Sequence, residues 1–383
     1  MNFQFGEQHS AIRERVREFR ESYCDARRMQ KLASSHEFPE DLYDELARSG
    51  ILKTSLPKAL GGDEAGLTGA ALVAQELSRA SSTLTNMYLV NAIFAGGLIG
   101  IAGTDSQRIR FLPAVGSGET RLAFALTESG AGSDAAAVRT TARREGQHWL
   151  LHGEKRYTTG ARDADYILVV TRTDHDAKHS QAMSVFLVPR QADGLTITPM
   201  AKVADNAYAS CELRLESVRV EDDLLLGGER GLNRAWSSLR LTGGMERLCV
   251  AASSLGLSQA ILEDALAHAH ERRQFGQPIG QFQAIQHRLA DMAIAIESLH
   301  WLTYAAAWKA DQGQDAGKEI SIAKSFAAES VNKLVLDGMR ILGGEGFLSE
   351  TRMARYQREA LLSLYAGGTT EIQKNLIARY LTA

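Results

Sequence analysis

The chain has 383 residues, of which 44% are hydrophobic and 23% charged, with a formal net charge of -3. That length and balance predict two or three globular domains around a sizeable core. They exclude a basic nucleic-acid footprint and a low-complexity, disordered chain.

Cys24, Cys211 and Cys249 are far apart and form no C-x-x-C. That spacing argues against a disulfide framework or a zinc site and for a reducing, cytoplasmic setting. The N-terminus MNFQFGEQHS is polar and reads as no signal peptide. In the first 120 residues Ile12, Val16 and Phe19 form a helical stripe. Pro39 opens a helix over 40–49 that Gly50 stops. Thr68 is expected to cap a helix over 69–80, and Asp105 a short helix ending before Gly116. The most apolar run, 89–102, contains Asn91 and three glycines. It reads as a buried helix, too short and interrupted to span a bilayer.

The texture changes near Arg121. Residues 139–157 look extended, with Glu145-Gly146 as a turn. YILVV within 164–172 and VFLV within 182–189 are runs of β-formers, and 195–200 and 211–220 alternate. Residues 173–181 form a polar connector. Several short strands predict a small β-barrel-like domain. Helices return after Leu232, over 282–311, 320–342 and 370–381, and long helices with short connections predict a bundle. The layout is therefore α+β but mainly α, with an N-terminal helical domain (1–120), a middle β domain (121–230) and a C-terminal four-helix bundle (231–383).

The helix that opens the bundle carries the chemistry to be explained. Gly243 and Gly244 are read as breaking what precedes it. Leu248, Ala252, Leu255, Leu262 and Leu266 then follow one stripe, and Val250, Leu257 and Ile261 a second, so it packs on more than one side. Small residues over 251–254, with Gly256, admit a close neighbour. Glu246 and Arg247 would lie in its first turn. A carboxylate there suits the helix dipole. It would equally suit a catalytic base whose pKa rises in a dry pocket, and the local pattern leaves both readings open.

Other motifs are similarly double. GAGSDA within 130–135 fits the dinucleotide pattern, but the required strand–turn–helix context is missing, which rejects a Rossmann reading. It is either a tight entry turn or a loop whose amides cradle a phosphate or line a flavin. Arg272, Arg273, Gln274, Phe275 and Gly276 end the opening helix either as an ordinary cap or as a grip for an anionic cofactor. Thr369 and Glu371 look like a capping pair. His268 and His270 do not share a helix face and read as surface residues. No metal-ligand spacing, G-x-S-x-G, P-loop or Cys/His nucleophile pattern is visible.

Taken in order, TESGAGSD (127–134), HGEKRYTTG (152–160), ERRQFGQPIGQFQAIQ (271–286), ILGGEGF (341–347) and AGGTTEIQ (366–373) resemble the acyl-CoA dehydrogenase family along essentially the whole chain. The resemblance implies the three-block fold, FAD held between the β domain and the bundle, and a homotetramer or homodimer. It implies that Phe124, Leu126, Thr127, Gly132 and Ser133 line the flavin, with Ser133 also near the thioester. Tyr157, where many members have Trp, and Thr159 would pack against the isoalloxazine. Arg272, Phe275 and Gln283 match positions that reach the FAD of a neighbouring subunit. Gly344, Thr369 and Glu371 match further cofactor contacts. Arg340 stands where a glutamine often meets the diphosphate, and a guanidinium can keep that contact. Ser129 replaces a usual proline.

Many members carry the base as Glu directly before the last GT. Here that position is Gly367. A minority place Glu before Arg on the opening bundle helix, which Glu246-Arg247 matches, with Arg247 positioning substrate. The implied reaction is α,β-dehydrogenation of an acyl-CoA in fatty acid or amino acid catabolism. Glu246 takes the α-proton, hydride passes to flavin N5, and electrons go to an electron-transfer flavoprotein. The alternatives are an acyl-CoA oxidase, a dehydrogenase of acyl-carrier-protein thioesters, or a catalytically silent flavin-binding assembly protein.

Overall fold

A helix written with two adjacent glycines tests local propensity against packing, and here packing wins. In the computed structural model, which describes residues 4–174 and 176–382, that helix starts well before Gly243. The helices are α1 (Glu7–Tyr23), α2 (Ala26–Ser34), α3 (Glu40–Arg48), α4 (Gly66–Ser78), α5 (Ser82–Tyr88), α6 (Gly96–Ala102), α7 (Asp105–Ser117), α8 (Ala235–Glu271), α9 (Gln283–Asp311), α10 (Gly317–Leu342), α11 (Arg352–Ala360) and α12 (Thr370–Thr382). The strands are β1 (Leu122–Ala125), β2 (Thr141–Glu145), β3 (His148–Thr159), β4 (Tyr166–Arg172), β5 (Met183–Pro189), β6 (Leu195–Met200) and β7 (Ser210–Glu221), plus a hairpin of β8 (Arg273–Gln274) and β9 (Gln277–Pro278). Two compact units divide the chain. One holds residues 1–34, 66–85 and 247–383; the other holds 35–65 and 86–246.

The second unit is built on a seven-stranded sheet. β4 pairs with β5 along its whole length, and on its other side with β1 in parallel and with the start of β2. β3 joins β2 to β7, and β6 closes the edge. β4 and β5 are buried on both faces, which is why both read as unbroken apolar runs. Phe111, Leu112 and Val115 of α7 and Leu98 and Ile99 of α6 share this core. So do Ala235, Trp236 and Leu239, the first turns of α8. That anchorage carries the helix through Gly243 and Gly244, each of which costs about 1 kcal/mol against alanine. Glu246 therefore sits several turns inside α8, and the helix-end argument for it does not apply.

α5 and α6 are joined by a π-helical stretch, Leu89–Ala95, into one run over Ser82–Ala102. It is long and apolar enough to cross a membrane, against the expectation that it is too short, but 72% of its apolar window is buried inside the protein. Buried Asn91 lies in the widened turn. Its amide donates to Met87 O and Tyr208 Oη, and its Oδ1 accepts the Leu122 N–H where β1 begins. Thr104, not Asp105, caps α7 through a capping box with Gln107, and α7 continues through Pro113 and Gly116 to Ser117. His175, in the polar connector, lies outside the described residues.

The first unit is helical. α10 packs against α9, α11 and α12, and α4 against α1 and α9. The small-residue stretch of α8 admits α4: a Cβ on Gly256 would fall inside the Gln75 carbonyl group. Thr68 does not cap α4, which already opens at Gly66. Instead Asp311, at the end of α9, accepts the Leu67 and Thr68 N–H groups at 2.6 and 3.0 Å. A carboxylate so placed satisfies orphan donors and meets the positive helix end. α11, sequence RMARYQREA, is an element that the sequence reading lacked.

Candidate active site

The second unit presents one group of the expected residues. β1 delivers Phe124 and leads into the loop 126–134. A strand therefore does precede GAGSDA, but a short 3-10 turn and antiparallel strands follow it, so the unit is no Rossmann βαβ. Within the loop Glu128 and Ala131 exchange backbone hydrogen bonds. The buried Glu128 carboxylate accepts the Arg139 N–H at 2.7 Å, the Thr140 N–H at 3.0 Å and the Lys155 ammonium at 2.7 Å. Lys155 is fully buried and also donates to Leu126 O at 3.0 Å. Burial pushes the lysine down to about 8, opposed by the Glu128 charge. Burial pushes Glu128 upward, but the Lys155 charge and the converging hydrogen bonds outweigh it and hold the carboxyl below its usual range. Both groups are charged at neutral pH. Neither Glu128 nor Lys155 was singled out from sequence. The only signal available was a lysine on the inward side of an alternating strand.

This scaffold leaves the loop tip exposed. Added Cβ atoms at Gly130 and Gly132 would meet nothing within 4 Å, and Gly132, Ser133 and Asp134 face solvent. The Arg156 N–H donates to Thr127 O, which sets Thr127 beside the end of β3. There a bulge between Lys155 and Thr158 turns Tyr157 outward at φ 57°, with 59% of it exposed. Thr159 and Ser210 share a hydroxyl–hydroxyl hydrogen bond of 2.8 Å. Glu246, the last residue of this unit, is half-buried. Two residues before it, on nearly the opposite side of the helix, a Cβ on Gly244 would meet nothing within 4 Å.

The first unit presents the others. Arg247 is half-buried on α8. Past the end of α8 the β8–β9 hairpin turns at Phe275 (φ 51°) and Gly276 (φ 85°). Phe275 is 94% exposed and meets Phe282 edge to face, with ring centroids 6.0 Å apart. Arg272 and Gln283 are exposed beside it in sequence. Arg340 is exposed and lies 3.3 Å from buried Asp337, which also holds Arg288 and Lys333. Three cations around one carboxylate leave this corner positively charged. Gly344 is exposed, and a Cβ there would meet nothing within 4 Å. Thr369 Oγ1 accepts the Ile372 N–H at 3.3 Å. The Glu371 carboxyl is held below its usual range by its own backbone N–H and by Thr369. Gly367 (φ 67°) and Gly368 (φ 95°) form a turn whose carbonyls are bound by Gln373 and, at Gly368, by Lys324. His268 is not a simple surface residue: it is largely covered and 3.6 Å from Glu345. Among the described residues no His/Cys/Asp/Glu group could hold a metal ion, and Cys24, Cys211 and Cys249 form no disulfide.

Each unit by itself exposes groups of the kind that bind a dinucleotide. Among the described residues six non-glycine residues have left-handed backbones, and the two aromatic ones are Tyr157 and Phe275, both exposed. Exposed aromatics held in a strained conformation with little protein against them are what a stacked ring would use. The open glycines at 132 and 344 leave room for a ligand to approach the backbone.

A helical bundle and a seven-stranded sheet, with these exposed groups, suit a flavin-dependent oxidoreductase, and the comparisons with known proteins show that class. The sequence matches the acyl-CoA dehydrogenase N-terminal domain over residues 6–119, the middle domain over 123–218 and the C-terminal domain over 230–382. It is 37% identical to a 3-(aryl)acrylate reductase of Clostridium sporogenes over 98% of each chain. It is 33% identical to the caffeyl-CoA reductase-Etf complex subunit CarC of Acetobacterium woodii, again over 98% of each. Butyryl-CoA dehydrogenase from Megasphaera elsdenii superposes with a TM-score of 0.95 at 26% identity, covering all of both chains. The chain belongs to the acyl-CoA dehydrogenase family, with that family's three-domain fold and FAD as cofactor.

Proposed function

We propose that this enzyme interconverts a saturated acyl-CoA thioester and its α,β-unsaturated counterpart, with Glu246 as the base at the α-carbon. The observation that carries the assignment is a pair of positions. Glu246 stands before Arg247 on α8, while position 367 is a left-handed glycine in a bound turn and offers no carboxylate. Glu371 is engaged with Thr369 and its own backbone.

FAD, when bound, supplies the hydride acceptor for the β-carbon. The chain's residues do the rest. Glu246 takes the α-proton. Arg247 orients the substrate, and Ser133 meets the thioester at the exposed loop tip. Donors at the thioester carbonyl stabilise the charge that develops there. Phe124, Leu126, Thr127, Gly132, Tyr157 and Thr159 hold the ring system. Arg272, Phe275, Gln283, Arg340, Gly344, Thr369 and Glu371 hold the remainder of the dinucleotide. The positive corner around Arg288, Lys333 and Arg340 suits a diphosphate. The partner for electrons is an electron-transfer flavoprotein, a reading supported by the Etf complex in the name of the Acetobacterium relative. The working assembly is a homotetramer or homodimer in the cytoplasm.

The names of the two bacterial relatives favour a second reading, in which the same residues run the reaction as reduction of an aryl-substituted acryloyl thioester. In that direction Glu246 returns the proton. Anaerobic titration separates the two. Bleaching of the oxidised flavin by saturated acyl-CoAs is expected for the dehydrogenase. Reoxidation of dithionite-reduced flavin by an arylacryloyl-CoA, with no bleaching by saturated thioesters, would replace it with the reductase. No response to any thioester, free or carrier-bound, would remove both.

A further inference from the structure

We infer that the buried Glu128–Lys155 ion pair is a positioning device: it fixes the loop 126–134 and the outward-turned Tyr157 in one register, and so sets the shape of the flavin cradle. This rests on the reading above that both segments face FAD. Stability alone does not explain the pair. Two buried charges lose their hydration, and apolar residues of similar volume are often neutral or stabilising in their place. What apolar residues could not supply is direction.

The bonds run to backbone at both ends of one segment. Lys155 holds Leu126 O at the loop's entry, and Glu128 holds the Arg139 and Thr140 N–H groups past the loop, where the chain enters β2. The loop is thus closed on a single inward-pointing side chain of β3. That side chain is also where the bulge begins. Lys155 pairs with Leu213 in register, and the next pair is Thr158 with Cys211, so one extra residue is accommodated immediately after the lysine. Arg156 adds its N–H to Thr127 O from within the bulge. Inward Lys155 and outward Tyr157 are therefore two sides of one local geometry. A shift of Lys155 would move the loop carbonyls and the tyrosine ring together. Misplacement by about 1 Å can cost about 10²-fold in rate.

The test is the apolar pair Glu128→Leu/Lys155→Met, with Glu128→Gln as a second variant that preserves shape but removes the charge and sets an NH2 donor where one accepting oxygen stood. Each is read by FAD dissociation constant, flavin visible circular dichroism and apoprotein unfolding midpoint. The inference expects a folded double variant whose FAD affinity falls by about tenfold or more, with an altered flavin dichroism. If the double variant does not fold, Glu128→Gln must show the weaker affinity and altered dichroism at a near-normal midpoint. Wild-type affinity and dichroism in a folded variant would overturn the inference. Tyr157→Ala distinguishes its failure from that of the cradle reading. Unchanged FAD affinity and dichroism in Tyr157→Ala would mean that Tyr157 does not face the flavin at all, whatever the ion pair does.

Discussion

Glu246→Gln is expected to lower the rate of flavin reduction by a thioester about 10² to 10⁴-fold, the usual scale for a positioned general base. Glutamine keeps the length and shape of the side chain and belongs comfortably inside a helix, so α8 should be unperturbed and FAD should stay bound. The rate is measured by anaerobic stopped-flow absorbance, with the bound flavin quantified beforehand. Full activity with intact flavin would sink the assignment. Gly367→Glu in the same background asks whether the turn near α12 can carry the base instead. Recovery is expected to be poor. The backbone there is left-handed, and a side chain other than glycine is strained in it. A large recovery would show that the turn yields more readily than its hydrogen bonds imply.

The largest effect on stability is expected at Gly256. A methyl group at that position would collide with the carbonyl group of Gln75 on α4, which is backbone and cannot swing aside. Ser78 Oγ, bonded to the same carbonyl, blocks the other direction. Gly256→Ala would raise helix propensity in α8 by up to about 1 kcal/mol. It would also force α4 and α8 apart, and overpacking of this kind costs about 3 kcal/mol. The net is a fall in the unfolding midpoint of several degrees, roughly 2–4 °C for each kcal/mol lost in a domain of this size. Calorimetry of the purified variant checks it. An unchanged or raised midpoint would mean that the two helices are not held as closely as the structure has them.

Much of this fold is legible in the sequence because its elements obey simple periods. β4 and β5 announce themselves as uninterrupted apolar runs since both their faces are covered. α9 keeps Met292, Ile296 and Leu299 on its buried face at the expected steps. Where the reading fails, a distant contact has overruled a local preference. Gly243 and Gly244 look like a helix boundary, yet the turns before them are pinned by Trp236 and Leu239. α11 looks like a polar surface stretch, yet Arg355 and Glu359 are buried on it. Arg355 donates to Ala80 O and lies 3.4 Å from Glu359. Of the candidate site, the loops and glycines could be found from their motifs. The Glu128–Lys155 pair could not, because 27 residues separate its members and charge alone does not say which face it occupies.

The length of α8 constrains how the site residues can be shared. Arg247 lies about a third of the way along α8 and Arg272 just past its last residue, with unbroken helix between them. At 1.5 Å per residue they are about 37 Å apart. On the roles proposed above, that span separates the Arg247 grip on substrate from the Arg272–Phe275 grip on a cofactor, as it would if the hairpin of one copy served the centre of another. A solitary chain would then own fractions of two centres and the whole of none. Specific activity should accordingly decline on dilution toward the assembly's dissociation range and recover with added FAD or protein, as concentration-dependent rate measurements would reveal.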